Sequence, residues 1–99
     1  MPTHRIILSN QAARDIDTIS DQTITRWGKQ QARKYVSAIR ADIESLRSSP
    51  RRFPMHECNS LGLRRMRSGH HLVFFSVGED VVHVIRVLHE RMDVDEVIL

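Results

Sequence analysis

The run from Val81 to Leu88 constrains the fold most, because β-branched residues dominate it and it contains no glycine or proline. Such residues favour an extended, pleated backbone. Regular alternation would place two sets of side chains on opposite faces: Val82, Val84, Arg86 and Leu88 on one, and Val81, His83, Ile85 and Val87 on the other. Both sets are mostly apolar, which predicts an interior strand covered on both sides. Arg86 is the exception, and it must be paired, emerge at a sheet edge or face a partner.

The first half of the chain predicts one strand followed by two helices. Arg5–Leu8 is a short apolar stretch, and Ser9 and Asn10 suit the cap of the helix that follows. Apolar residues recur at helical spacing over 12–27 and again over 32–46, with Gly28 between them. Two helices with so short a link form a hairpin that packs on a sheet.

The second half predicts an irregular loop and a three-stranded meander. The loop covers residues 50–62, and two strands then follow at 63–67 and 70–77. Short turns join these strands to 81–88, so the three run antiparallel. The predicted order is β-α-α-β-β-β in a single α+β domain spanning residues 1–99, with a helical hairpin on a small antiparallel sheet. A short helix is expected after Asp93, at 94–98.

Composition narrows the function classes without choosing one. Lys and Arg total 15 against 12 Asp and Glu, a net charge of +3, and residues 47–67 hold six arginines and one acid. This basic stretch suits an acidic protein surface or nucleic acid. No apolar run approaches the roughly 20 residues that cross a bilayer, so no membrane partner is expected. The lone Cys58 is expected to be a structural thiol, and the absence of a leader segment predicts a cytoplasmic protein.

Few side chains are arranged for chemistry. The histidines lack companion ligands at a recognised spacing, so neither a metal nor a cofactor is expected. Five basic side chains could still converge at one end of the sheet: Arg65, Arg67, Arg86, His89 and Arg91. The alternative is a salt-bridged rim around Glu90 and Asp93, which is the preferred interpretation. For Trp27 and Tyr35, core packing is preferred over ligand stacking.

Several short motifs in order resemble the ParE toxins of the RelE/ParE superfamily. They are Trp27-Gly28, Gln31-Ala32, Tyr35, Pro50, Gly62-Leu63-Arg64-Arg65, Gly69-His70-His71, Phe74-Phe75 and Arg86-Val87-Leu88-His89-Glu90-Arg91-Met92-Asp93. The resemblance implies a type II toxin that inhibits DNA gyrase without being an enzyme, and that a ParD-like antitoxin neutralises in a tight hetero-oligomer. DNA would be contacted only through gyrase or the antitoxin.

Two other functions stay open. The superfamily also contains RelE-type ribosome-dependent mRNA endonucleases, for which the candidate catalytic residues would be Arg65, Arg67, Arg86 and His89. No tyrosine follows Tyr35, so the C-terminal tyrosine of the RelE type is missing. The third alternative is a basic binding domain without toxicity.

The resemblance and the pattern together predict two contact surfaces. The candidates for gyrase contact are Arg86, His89, Arg91, Met92 and Asp93. The candidates for antitoxin contact are Arg64, Arg65, Arg67, Leu72, Phe74, Trp27 and Tyr35. Because one helical hairpin covers only one face of a sheet, the other face is expected to be open until an antitoxin segment folds onto it.

Overall fold

The computed structural model describes residues 3–56, 62–93 and 97, and its elements follow the predicted order. The strands and helices are β1 (Arg5–Leu8), α1 (Asn10–Trp27), α2 (Lys29–Glu44), β2 (Arg64–Ser68), β3 (His71–Val77) and β4 (Val81–His89). Two short 3-10 turns, Ser45–Arg47 and Pro50–Arg52, follow the helices. The predicted α+β order is confirmed. Cys58 lies outside the described residues, and so does the predicted helix at 94–98, apart from Val97.

Ser9 caps α1 and also fastens it to the sheet. Its hydroxyl accepts the backbone N–H of Ala12 at 2.9 Å and donates to the carbonyl of Ile85 at 2.7 Å. Its own N–H donates to the carbonyl of Val84 at 2.9 Å. The cap predicted at Ser9 is therefore confirmed, and it sets where α1 begins relative to β4.

The two helices turn back at Gly28 and bury one stripe each against the sheet. Gly28 has a φ of +89°, a backbone conformation that favours glycine. The buried helical residues are Ala12, Ile16 and Ile19 from α1 and Ala32, Ile39 and Ile43 from α2. They form one core with the helix-facing residues of the sheet, including Met66, Val73, Phe75, Val82, Val84 and Val87.

The sheet has the order β1-β4-β3-β2, which makes β4 an interior strand as predicted. The meander of β2, β3 and β4 is antiparallel, but β1 pairs with β4 in parallel. The sheet is therefore mixed rather than wholly antiparallel. The residue pattern of β1 predicts that it pairs with another strand. Whether the pairing is parallel depends on where the helical hairpin places the later strands relative to β1.

A β-bulge in β4 corrects the predicted alternation of its side chains. Phe75 pairs with Val84, whereas Phe74 pairs with Arg86, so Ile85 is the extra residue. An extra residue shifts the inward positions beyond it by one. Val87, and not Arg86, consequently joins Val82 and Val84 on the helix side.

Asp15 of α1 resolves the anomaly of Arg86. One carboxylate oxygen accepts Nε of Arg86 at 2.8 Å and the backbone N–H of Val87 at 2.9 Å, and the other accepts Nη2 of Arg86 at 3.0 Å. The side chains of Asp15 and Arg86 are only 14% and 17% exposed. The hydrogen bonds from the Arg86 side chain to Asp15 raise the pKa of Arg86. Because β1 ends opposite Val84, the next part of the β4 edge is accessible to Asp15.

The sheet face opposite the helices is less open than predicted. Phe74 and Leu88 are buried there with Leu63, and the His56 ring lies edge-on to Phe74 with centroids 5.3 Å apart. Leu72 and Ile85 remain half-buried beside them. The loop before β2 thus covers part of this sheet face, which the prediction based on the helices alone did not include.

We expect Asp15→Ala to lower the free energy of unfolding by about 2–4 kcal/mol, because it leaves a mostly buried guanidinium and a backbone N–H without their acceptor. Asp15→Asn should lose less, since an amide oxygen still accepts the N–H of Val87. Urea unfolding measures both, and Asp17→Ala, an exposed change on the same helix, is the control. Equal losses for Asp15→Ala and Asp17→Ala would contradict this role.

Candidate functional site

A groove of about 800 Å³ lies between the helical hairpin and the ends of β3 and β4. We call it the histidine groove. Its lining residues are Ile19, Gln22, Thr23, Arg26, Trp27, Gln31 and Tyr35 from the hairpin, and His70, His71, His89, Glu90 and Arg91 from the sheet side. Its lining combines charged side chains, aromatic surface and hydrogen-bonding groups.

Tyr35 joins the two walls of the groove. Its hydroxyl oxygen accepts the backbone N–H of His70 at 2.9 Å and lies 2.6 Å from Nδ1 of His71. The hydroxyl proton is thereby directed to Nδ1 of His71, which places the ring proton of a neutral His71 on Nε2. Gly69 leaves room for this contact, because a Cβ there would come within 2.7 Å of the Tyr35 oxygen.

The His71 imidazole is neutral at physiological pH. Burial, assisted by the neighbouring His89 and His70 and opposed by Glu90, lowers its pKa from 6.5 to about 4. The ring of His71 stands edge-on to that of His89 with centroids 5.1 Å apart, and these residues are paired across β3 and β4. His71 therefore serves as a hydrogen-bond acceptor for Tyr35 rather than as a cation.

Glu90 is the centre of the predicted salt-bridged rim. It pairs with Arg67, and its carboxylate lies 3.2 Å from Nδ1 of His70. The hydrogen bonds from Arg67 and His70 lower the pKa of Glu90. The rim is thus confirmed at Glu90, and it neutralises the carboxylate at the mouth of the groove.

The basic side chains whose convergence was the less favoured alternative are distributed over both sides of the sheet. Arg65 and Arg67 lie opposite Phe74 and Leu72 on the face away from the helices. Arg86 is bound to Asp15, while His89 lines the groove on the helix side. The alternative cluster of Arg65, Arg67, Arg86, His89 and Arg91 is not assembled, because the bulge and the opposed faces separate its members.

The segment from His89 to Asp93 forms an exposed turn after β4. The turn is anchored at His89, whose Nδ1 accepts the N–H of Arg91 at 3.1 Å and whose carbonyl accepts the N–H of Met92 at 3.0 Å. Arg91, Met92 and Asp93 are exposed, and Met92 keeps 44% of its surface accessible. Four of the five candidates for gyrase contact are therefore together here, whereas Arg86 lies apart and is mostly buried.

The antitoxin-contact candidates fall in separate places. Arg65, Arg67 and Leu72 share the face away from the helices, where Phe74 also lies but is fully buried. Arg64 points to the helix side and donates to the carbonyl of Phe53 at 2.7 Å.

Trp27 and Tyr35 lie in the histidine groove. Tyr35 packs partly against the core as expected. The prediction for Trp27 is wrong, since it is 70% exposed. Its stripe on α1 is buried only as far as Ile19, and beyond that residue the histidine groove separates the helix from the sheet side.

Sequence patterns missed several residues of the groove. Gln22 and Arg26 are one helical turn apart on α1, and Gln31 follows Gly28 at the start of α2. The sequence signal that could have identified them is the helical spacing of polar residues near Trp27, where the hairpin turns.

Neither a metal site nor a membrane span is found in the described part of the chain. No three of its histidine, cysteine, aspartate or glutamate side chains are placed to hold a metal ion. None of its helices combines the length and apolar character needed to cross a bilayer.

Comparison with known proteins gives a consistent result. A family described as ParE toxin of type II toxin-antitoxin system, parDE, matches residues 6–94. Toxin ParE1 of Mycobacterium tuberculosis is 37% identical over 94 residues, covering 92% of this chain and 94% of that protein. Toxin ParE1 of Caulobacter vibrioides is 40% identical over 86 residues, covering 87% and 88%. A solved chain titled chromosomal ParDE TA system from P. aeruginosa has the same fold, with a TM-score of 0.78 at 19% identity, and the match covers 88% of this chain and 96% of that one.

We expect acid to weaken the fold through His71. Its pKa in the folded chain, about 4, is below the ordinary 6.5, so the unfolded chain takes up this proton first. The contribution to stability is complete above pH 6.5 and is lost as the pH falls towards 4. An NMR titration of the imidazole and urea unfolding at several pH values measure it. His71→Gln should reduce the pH dependence in this window, and a His71 that titrates near 6.5 would contradict the assignment.

Proposed function

The chain belongs to the family of ParE toxins of type II toxin-antitoxin systems, and from this premise we propose that it inhibits DNA gyrase and is neutralised by a ParD-like antitoxin. The observation that carries the proposal is the match over residues 6–94, which includes the motif from Arg86 to Asp93. The family predicted from the sequence is thus confirmed, while the target is our proposal. Since gyrase acts on cytoplasmic DNA, the proposal places the toxin in the cytoplasm.

We propose that the turn His89–Asp93 contacts gyrase. Its exposed arginine and methionine, Arg91 and Met92, offer charge and apolar surface together, and central contacts of protein interfaces are enriched in both residue types. Arg86 has a different role in this proposal. Bound to Asp15, it fixes the bulge from which β4 continues into the turn.

No enzymatic step is part of the proposal. RNA cleavage would need phosphate-binding and acid–base groups around one scissile bond. The candidates for those roles lie on different sides of the sheet, and Arg67 and Arg86 are already paired with carboxylates. This distribution supports inhibition by binding.

For the antitoxin we propose the sheet face away from the helices. Arg65 and Arg67 flank the half-buried Leu72 and the edge of the apolar cluster there. An acidic segment with apolar side chains would complement this face, and a segment that folds as it binds can cover a long strip. The fold shared with a chain of a ParDE system supports a partner of this kind.

On the target, we expect the purified chain to inhibit supercoiling by gyrase or to accumulate cleaved DNA, while mRNA on translating ribosomes stays intact. Arg91→Ala combined with Met92→Ala should weaken the inhibition at least about tenfold, as expected when central contacts are removed. Arg40→Ala, an exposed change on α2, is the matched control. Codon-specific mRNA cuts with normal gyrase activity would contradict the proposal.

On the antitoxin, we expect Arg67→Glu to weaken binding of the antitoxin about tenfold or more, because it replaces an attraction by a repulsion. Arg40→Glu makes the same change of charge away from the proposed face. Calorimetric titration with the antitoxin encoded beside this chain compares the two. Equal affinities would remove Arg67 and its face from the interface.

A further inference from the structure

We propose that the histidine groove binds a single-stranded nucleic-acid segment, with a base stacked on Trp27 and phosphates held by Arg26 and Arg91. This inference does not depend on gyrase inhibition. It also revises the expectation that this chain reaches nucleic acid only through gyrase or the antitoxin.

The first support is the exposed indole of Trp27. At 70% exposure it is the most accessible large apolar side chain among the described residues, and no other ring there stacks on it. It stands at the end of α1, two turns beyond Ile19, the last buried residue of that helix, so its flat surface is not part of the core. Exposed aromatic faces of this kind are platforms on which unpaired bases stack.

The second support is the balance of charge around the indole. Arg26 precedes Trp27 on the hairpin wall, and Arg91 lies on the sheet wall. Neither guanidinium forms a hydrogen bond or ion pair with any residue that the structure describes. Glu90, the acid among the lining residues, is already occupied by Arg67 and His70. Among the described residues, the two guanidiniums of the groove therefore have no carboxylate partner, which suits a phosphate backbone.

The rest of the lining favours a nucleic acid over an acidic peptide. A peptide is usually anchored by apolar side chains in an apolar pocket. Here the aliphatic contribution is Ile19, of which only 5% is exposed. The accessible surface is instead that of planar rings and amides: the indole of Trp27, the phenol of Tyr35, the imidazoles, and the side chains of Gln22 and Gln31. Amides and imidazoles can hydrogen-bond to base edges, and these edges are free in a single strand.

The single tryptophan of the chain makes the inference directly testable, because intrinsic fluorescence reports on Trp27 alone. The purified chain is titrated with a short, labelled oligothymidylate and separately with oligoglutamate of the same charge. We expect the oligonucleotide to quench the indole and to gain anisotropy, with an affinity that falls as salt is added. Oligoglutamate should leave the fluorescence unchanged.

Variants locate the site. Trp27→Leu should weaken oligonucleotide binding, followed by anisotropy, at least about fivefold, as loss of a stacked base predicts. Arg26→Gln should reduce the salt dependence by about one released ion. Arg40→Gln, an exposed arginine of α2 outside the groove, should change neither quantity. The variants change exposed side chains, so their fold should be intact, and circular dichroism verifies it.

Three results would overturn the inference. They are no binding of the oligonucleotide at low salt, equal quenching by oligoglutamate, and an unchanged affinity of folded Trp27→Leu. The second result would assign the groove to an acidic peptide, and the third would place nucleic-acid binding elsewhere on the basic surface.

Discussion

The carboxylate of Asp15 holds together the parts of this molecule on which its proposed function depends. It receives three donors, two from Arg86 and one from the backbone of Val87, and so joins α1 to the bulge of β4. The bulge decides which side chains of β4 face the helices. The end of β4 and the turn His89–Asp93 are positioned by this shift in register. Arg86, which the sequence suggested as a contact residue, is thus part of the structural framework.

Burial and pairing of charges together separate framework from contact surface in the rest of the described chain. Arg86 and Arg67 have carboxylate partners, and the neutral His71 receives the hydroxyl of Tyr35. Arg26 and Arg91 have no such partner among the described residues. Arg67 is paired with Glu90, but its side chain is 61% exposed and stays accessible to an antitoxin, as Arg26 and Arg91 stay accessible in the groove. Arg91 lies where the turn and the histidine groove meet, so both proposed contacts depend on this side chain.

Local patterns predicted most of the fold, and long-range geometry accounts for what they missed. The two helices, the Ser9 cap and the strands of the meander follow from spacing and turn residues within short windows. The parallel direction of β1 and the bulge at Ile85 depend on how distant segments meet, and no short window contains that information. Trp27 shows the same limit, because helical periodicity cannot tell where along α1 the packing against the core gives way to an open groove. Of the five residues predicted from the sequence for gyrase contact, four lie together in the turn, whereas the pairing of Arg86 with Asp15 was not predicted.

Site-specific crosslinking tests the central claim, that the turn His89–Asp93 is the surface presented to gyrase, most directly. A photoreactive amino acid is placed at Met92, and in a second protein at Ile7, which is 41% exposed on β1. Each protein is irradiated with gyrase and DNA. The account predicts a crosslink to gyrase from position 92 and little from position 7. A crosslink from position 7 with none from position 92 would contradict it.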